Sequence, residues 1–544
     1  MFLRASLHLG LSFAVFFLLE FLVSNPKIAL ARKGQKVVAR HGIVATDETE
    51  CSKIGRDILQ RGGHAVDAAV GATLCLGVVS PSFSGLGGGG FMLVRSSNGE
   101  AKVFDMREIT PGRASKEMFD RDLSKWKTGP LSIAVPGQLA GLYTAYRKYR
   151  KLLWESILSW LTRSLTFAPN GELLFPGKLV RMGKLANTLE AIAKWGMNIF
   201  YNGSMGEALA KEIQKFGGII TKEDFQKYWV VQRRPLVARV MGYKLVTVPP
   251  PASGGAMIFL ILNILANYNC KSATSVPMSL AMHRLVQAFK YALAQRMDLG
   301  DPAFVNVTCV LKNMTSKRYA RKLKNLIDDN KTFDSAHYDS KWSSVHDHGT
   351  THICVVDDKR NVVSMTLSLN TLFGSKLVSP STGIYLNNQM YDFSIPISTV
   401  PPPAPANFIQ PFKRPLSSMG PTILLKDGKV KAVIGAAGGL LIPDAVTQVL
   451  MNHLKYRMDT FSEVKAARFY HKLNPNVLYL ENYTSRFGDY YGYNSSIQAE
   501  LRQKGHALEG ACRWTSCQFV IQMFKGANAG KLVAVSDPRK GMKL

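Results

Sequence analysis

A chain of 544 residues, 46% hydrophobic and 19% charged, has material for a large core and for about two to four domains, and its composition excludes a disordered protein. Its formal net charge of +30 points to an acidic partner. The basic residues are dispersed and come with no zinc-finger or RNA-reading aromatic motif, so nucleic acid is set aside and a polyanionic extracellular matrix is expected.

Arg4 precedes an apolar run at 9–19, which Glu20 ends. That length suits a signal-peptide core and is short for a membrane span of about twenty residues. Pro26 and the Ala29-Leu30-Ala31 pattern follow, so residues 1–31 are expected to be a signal peptide and the protein to be secreted. The rival is a membrane anchor over 7–23 with an extracellular or vacuolar catalytic part. Lys27, Arg32, Lys33 and Lys36 would then lie on the translocated side, which disfavours it. Glycosylation sequons at Asn202, Asn306, Asn313, Asn330, Asn482 and Asn494 agree with export.

Residues 51–59 and 65–79 read as helices, the second apolar around most of its circumference. Cys51 and Cys75 flank this stretch and are a candidate disulfide in an oxidising compartment; Cys512 and Cys517 are a second candidate pair. The run Gly85 to Gly90 formally satisfies GxGxxG, but a helix precedes it and a strand follows. A tight glycine turn is expected there, not a dinucleotide cradle. Residues 91–95 and 101–105 read as strands, and 281–299 as a helix. Strands dominate from His352 onward: HICVV, NVVSMTLS, GIYLN, TILLK, KAVIGA, QFVIQM and LVAVS. The Pro-rich stretch 400–411 is expected to be an ordered surface crossing. Helices covering sheet make the class α/β or α+β, built on one large core.

The stretch HDHGTTHICVVDDKRNVVSMTLSLNTLFG, residues 346–374, admits three interpretations. His346, His348 and His352 alternate as metal ligands on a strand do, but Asp347 would point to the other face. A plain hairpin accounts for the two β-rich runs around the polar turn 357–361. If that turn centres on Lys359, Thr350 falls opposite Ser368, on the same face, and Asn370 lies just beyond. The third interpretation is a nucleophile. Threonine becomes one when it is residue one of a chain, because its α-amine, with a pKa of about 7.7–8.0, is a suitable general base. Gly349 has no Cβ to obstruct attack by Thr350 on its carbonyl.

The chain resembles the γ-glutamyltransferases (glutathione hydrolases), N-terminal-nucleophile enzymes made as self-cleaving precursors. The resemblance runs through CSKIGRDILQRGGHAVDAAV, SGLGGGGF, FDMRE, AVPGQLAGL, FYNGS, DHGTTH, NTLFGS, SPSTGIYLNN, PPAPANFIQP, RPLSSM, GAAGGL and AVSDPRKG. In MGYKLVTVPPPASGG, KLNPNVLYLENYT and LVAVSDPRKG it is most similar to plant extracellular members, which implies the apoplast or cell wall.

The resemblance implies an αββα sandwich with a single core formed by two subunits after autocleavage at Gly349-Thr350, residues 32–349 and 350–544. Thr350 would be the nucleophile, assisted by Ser368. Arg107, Ser417 and Ser418 would bind the α-carboxylate of a γ-glutamyl group, and Asn370, Gln389 and Asp392 its α-amine. The N–H groups of Gly438 and Gly439 would form the oxyanion hole. Glutathione and its S-conjugates are the implied substrates, and water, an amino acid or a dipeptide the acceptors; no cofactor or metal is implied. The alternatives are an uncleaved, inactive relative serving as a basic matrix-binding protein, or an amidase of the same type with another acyl specificity. Departures from the family pattern are a shortened segment at 152–167, LLWESILSWLTRSLTF, and Tyr391 where an acidic residue is usual beside Asp392; Gln389 replaces a frequent Glu.

Overall fold

The structure is a computed structural model that describes residues 36–158, 182–268, 276–343, 349–485, 488–512 and 514–539. The expected signal peptide, His346, His348 and most of the shortened segment lie outside the described residues. Among those described, no helix is long and apolar enough to cross a membrane.

Among the described residues, thirteen strands make two antiparallel sheets. One is formed by Ile43–Ala45 (β2), Gly89–Arg95 (β3), Ala101–Met106 (β4), Val231–Arg233 (β5), Thr350–Val356 (β8) and Val362–Ser368 (β9), in the order β2-β8-β9-β3-β4-β5. The other contains Lys36–Ala39 (β1), Leu236–Val240 (β6), Tyr243–Thr247 (β7), Thr422–Lys426 (β10), Lys429–Ala437 (β11), Ser516–Gln522 (β17) and Leu532–Ser536 (β18). Its order is β1-β18-β17-β11-β10-β7-β6. Two small sheets lie apart from these: Phe469–His471 (β12) with Leu478–Glu481 (β13) and Leu508–Ala511 (β16), and Tyr483–Thr484 (β14) with Tyr490–Tyr491 (β15).

The two large sheets stack face to face, β8 and β9 against β11 and β17. Helices Ala65–Val79 and Gln138–Tyr149 cover the outer face of the first sheet, and helices Gly254–Leu265 and Ile442–Leu454 cover the second. The layers are therefore αββα. Strand β8 is buried on both faces, and its alternation sorts its side chains by layer. Cys354 and Val356 join the core between the sheets, whereas Ile353 and Val355 join the core under the helices.

Most of the sequence-derived elements stand: 65–79 and 422–426 fall as expected to the residue, and 281–299 becomes helix Met278–Arg296. Cys51 and Cys75 form a disulfide with Cα atoms 5.4 Å apart, tying helix Thr49–Gln60 to its neighbour. Two expectations are corrected. GIYLN, 383–387, is no ladder strand; its strand pairing is limited to the isolated bridges Val378–Tyr385 and Gly87–Leu386. Cys512 and Cys517 are both free, because Cys517 is buried inside β17 while Cys512 is exposed before it. The Pro-rich stretch is ordered as expected, and Asn407 within it is fully buried.

A balanced ionic network holds the C-terminal segment. Arg468 donates to Asp537 at 2.6 Å, and Arg539 donates to Glu481 at 2.7 and 2.8 Å and to Asp537 at 3.2 Å. Each of the four is at most 3% exposed. Burial pushes the Asp537 carboxyl up, but the guanidiniums of Arg468 and Arg539 outweigh it and bring it below its ordinary value. The stability it contributes is thus complete at neutral pH and is lost only as the pH falls below about 4. Asp537→Ala leaves two buried guanidiniums short of a partner and should cost about 3–5 kcal/mol at pH 7. Chemical denaturation at pH 7 checks this; a variant within 1 kcal/mol of the parent contradicts it.

A candidate active site around Thr350

Thr350 opens β8, and its register partner is Ser368, the last residue of β9. The hairpin pairs Val356 with Val362, so the turn centres on Lys359 as the sequence implies. Because both faces of the hairpin are buried, a one-residue slip would exchange every side chain between the two cores, and the register is pinned. The Thr350 hydroxyl accepts the Gly438 N–H at 2.8 Å. The Ser368 hydroxyl donates to the Gly349 carbonyl at 2.9 Å and accepts the Asn370 N–H at 2.6 Å. The nucleophile candidate and the carbonyl preceding it are therefore each held by a separate hydrogen bond, in the uncut chain.

Two glycines are conformationally required here. Gly349 has φ +60°, and a Cβ on it would lie 2.2 Å from the Asn370 carbonyl. Gly438 has φ +132°, and a Cβ there would lie 2.6 Å from Thr515. Gly439, at φ +58°, starts the turn into helix Ile442–Leu454. Gly438 thus presents backbone, not side chain, to Thr350.

The run Gly87 to Gly90 is neither a cradle nor only a turn. A Cβ at any of the four would come within 2.4 Å of a backbone oxygen, and at Gly88 that oxygen belongs to Ser368. Glycine lets the start of β3 pass close under the end of β9.

Arg107 follows β4 and is 1% exposed. It bonds the Asp392 carboxylate and donates to the carbonyls of Pro415 and Leu416 at 3.3 and 3.1 Å. Gln389 donates to Asp392 at 2.5 Å, and Asn370 donates to the Asn388 carbonyl at 3.1 Å. Ser417 and Ser418 continue the loop whose carbonyls Arg107 holds; both are buried, and the Ser417 hydroxyl accepts the Met419 N–H at 3.2 Å. The expected head-group residues thus converge in one buried cluster. Glu108, 3.6 Å from the Arg107 guanidinium, makes no hydrogen bond through its carboxyl among the described residues. Burial pushes it up to about 8 despite Arg107, so it is neutral at pH 7 and Asp392 is the carboxylate that balances Arg107.

His352 is held by hydroxyls: Thr366 lies 2.8 Å from Nδ1 and Ser364 3.3 Å from Nε2, with the ring packed on Gly435. It joins the two sheets, and no metal-binding group of side chains occurs among the described residues. Sequence reasoning missed Asp47, whose carboxylate takes the Thr351 hydroxyl, the Gln518 amide at 2.8 Å and the Ser516 hydroxyl at 3.3 Å. No motif marks it. It also missed Asn387 and Asn388, although both stand in the quoted SPSTGIYLNN; Asn388 links Asn370 to Thr371, and Asn387 clamps Gly87 and Ala134.

Comparison with known proteins agrees with this geometry. The gamma-glutamyltranspeptidase family model matches residues 51–165 and 161–544, its two pieces meeting inside the shortened segment. Glutathione hydrolase 2 of Arabidopsis thaliana is 47% identical over 93% of this chain and 94% of its own. Glutathione hydrolase 3 of the same plant is 41% identical over 95% and 89%. A cephalosporin acylase from Bacillus halodurans shares the fold at a TM-score of 0.78, covering 93% of this chain and 96% of that one with 22% identity. The αββα sandwich is that of the N-terminal-nucleophile hydrolases, and the chain belongs to the gamma-glutamyltranspeptidase family.

Proposed function

We propose that this protein is a γ-glutamyltransferase (glutathione hydrolase) that cuts itself between Gly349 and Thr350. The observation that carries this reading is the paired restraint at the cut: Thr350 Oγ1 on the Gly438 N–H, and the Gly349 carbonyl on the Ser368 hydroxyl. Thr350 attacks that carbonyl, the Gly349–Thr350 C–N bond gives way to an ester, and water hydrolyses the ester. The products are a large subunit, 32–349, and a small subunit, 350–544, whose new α-amine serves as general base.

In the mature site a γ-glutamyl amide meets the Arg107–Asp392 pair, which mirrors the two charges of an amino-acid head group. Its α-carboxylate takes the Arg107 fork with Ser417 and Ser418, and its ammonium takes Asp392 with Asn370 and Gln389. Thr350 attacks the γ-carbonyl as its hydroxyl proton passes to its own α-amine, the N–H groups of Gly438 and Gly439 hold the oxyanion, and the amine leaves with that proton from the Thr350 ammonium. The γ-glutamyl ester then passes to water or to an amino acid or dipeptide. Glutathione and its S-conjugates are the substrates this reading favours.

The same reading places the protein outside the cell, in the apoplast or wall, with an acidic polysaccharide as partner. The Cys51–Cys75 disulfide and the exposure of all six sequon asparagines support it. So does the stretch 308–325, which contains no acidic residue. On it Lys312, Lys317, Arg318, Arg321 and Lys322 are exposed and form no ion pair among the described residues. The like charges at 317/321 and 318/322 cost the helix about 0.2–0.5 kcal/mol each in the free protein, and a polyanion would relieve that.

Thr350→Ala should yield one uncut, inactive chain; two chains on a denaturing gel, the smaller starting at residue 350, would show that an external protease makes the cut. Arg107→Lys keeps the charge but loses the fork. Subunit cleavage should persist while KM for a γ-glutamyl anilide rises about ten- to a hundredfold, the equivalent of about 1.5–3 kcal/mol for a charge-assisted contact; an unchanged KM removes Arg107 from the site. Retention on polygalacturonate should fade between about 0.05 and 0.5 M salt, as the Debye length falls from roughly 14 to 4 Å, with turnover of a small γ-glutamyl substrate far less affected. Binding that survives high salt, or activity that falls with it, excludes a separable electrostatic anchor.

A further inference from the structure

The proposed head-group cluster is buried: Asn370, Gln389 and Asp392 are at most 1% exposed. The chain emerges from it at two points, 371–373 beyond Asn370 and Tyr391 before Asp392, and the two exits adjoin one another. Asn388 accepts the Thr371 N–H at 3.0 Å and donates to the Lys127 carbonyl at 2.6 Å, while the Gly129 N–H donates to Ser375 at 3.0 Å. Segment 124–129 therefore borders both exits.

What these three segments present is aromatic and cationic. Trp126 donates its indole N–H to the Met390 carbonyl at 2.8 Å and stands edge-on to Tyr391 at 4.7 Å. The Lys127 ammonium lies 5.8 Å from the centre of the Tyr391 ring. Phe373 and Leu372 are 42% and 43% exposed, and Phe373 keeps φ +58°. A bulky residue in that region is a backbone outlier, and an exposed phenyl gains little burial to offset it. Lys127 and Lys376 take part in no ion pair among the described residues; Lys125, on the same short helix, faces Asp122 at 3.7 Å.

We propose that Trp126, Lys127, Tyr391 and Phe373 form the subsite for the part of the substrate beyond the γ-glutamyl group, and that they select glutathione S-conjugates carrying an aromatic S-substituent. This rests on the activity proposed above and assigns its specificity. With the head group in the Arg107–Asp392 cluster, the remainder of a glutathione conjugate would extend toward this rim, where the segments leading from Asn370 and Asp392 reach the surface. It brings an apolar S-substituent and one terminal carboxylate. The aromatic faces match the first and Lys127 matches the second. An acidic residue at 391 would repel that carboxylate; Tyr391 presents a ring there instead.

The test compares kcat/KM of the mature enzyme for four compounds: γ-glutamylmethylamide, glutathione, its S-benzyl conjugate, and the C-terminal amide of that conjugate. The parent enzyme should favour the S-benzyl conjugate over glutathione, and the free carboxylate over the amide. Phe373→Ala and Tyr391→Asp should each lower the ratio of S-benzyl conjugate to γ-glutamylmethylamide about five- to tenfold. Lys127→Glu, at an exposed position, should abolish or invert the preference for carboxylate over amide. Ratios that stay within twofold of the parent in all three variants overturn the subsite while leaving the γ-glutamyl activity standing. A parent enzyme that cleaves none of the four overturns both proposals. Loss of activity on every compound together, with unchanged ratios, would mark these residues as structural and also count against the subsite.

Discussion

Two hydroxyls, those of Thr350 and Ser368, face each other at the open end of a hairpin that is buried on both sides. The rest of the site depends on that pairing. It sets the distance between Thr350 and the carbonyl ahead of it, because Ser368 holds that carbonyl while Gly438 holds the threonine oxygen. It also fixes where Asn370 begins, since the Asn370 N–H rests on the same serine oxygen. Slippage is prevented by both cores at once. A register shift would move residues such as Ile353 and Val355 out of the core under the helices and force polar groups such as His352 into it, a cost no gain at the hairpin end could balance.

Close approach of backbone is the second condition. Gly88 runs against the Ser368 carbonyl, Gly349 against that of Asn370, and Gly438 against Thr515. Side chains at these points would push apart the segments that bring Gly438, Thr350 and Ser368 together. Glycine here is spent on proximity, and the surrounding αββα layers supply the rigidity that glycine itself lacks.

Charge is arranged differently at the buried ion pairs and on the surface. Arg107 is paired with Asp392, and Arg468 and Arg539 with Asp537 and Glu481. A balanced buried pair is tolerated because its desolvation is offset by short, directed bonds, and in the site it offers a zwitterionic ligand two charges to exchange. The net +30 is carried by the exposed surface, where screening by salt governs it. The buried pair in the candidate site and the net charge of the surface are thus physically separate populations of charge.

Local features were legible in the sequence. The alternation of 350–356 and 362–368 about a short polar turn determined the hairpin and its register, and helix 65–79 was readable because its continuous apolar run ends at turn residues. The family resemblance added roles at Thr350, Arg107, Asn370, Gln389, Asp392, Ser417, Ser418 and the glycine pair. GIYLN misled because its alternation is satisfied by packing, while its backbone bonds to single bridges instead of a ladder. Cys517 misled because nearness in sequence says nothing of the sheet that encloses it. Tertiary structure alone decided which distant groups meet: Gly438 on Thr350 across 88 residues, Asp392 on Arg107 across 285, and Asp47 on Thr351 across 304. Periodicity reports how a segment repeats against its own axis. It carries no record of which strand lies beside it, and the site is made of those neighbours.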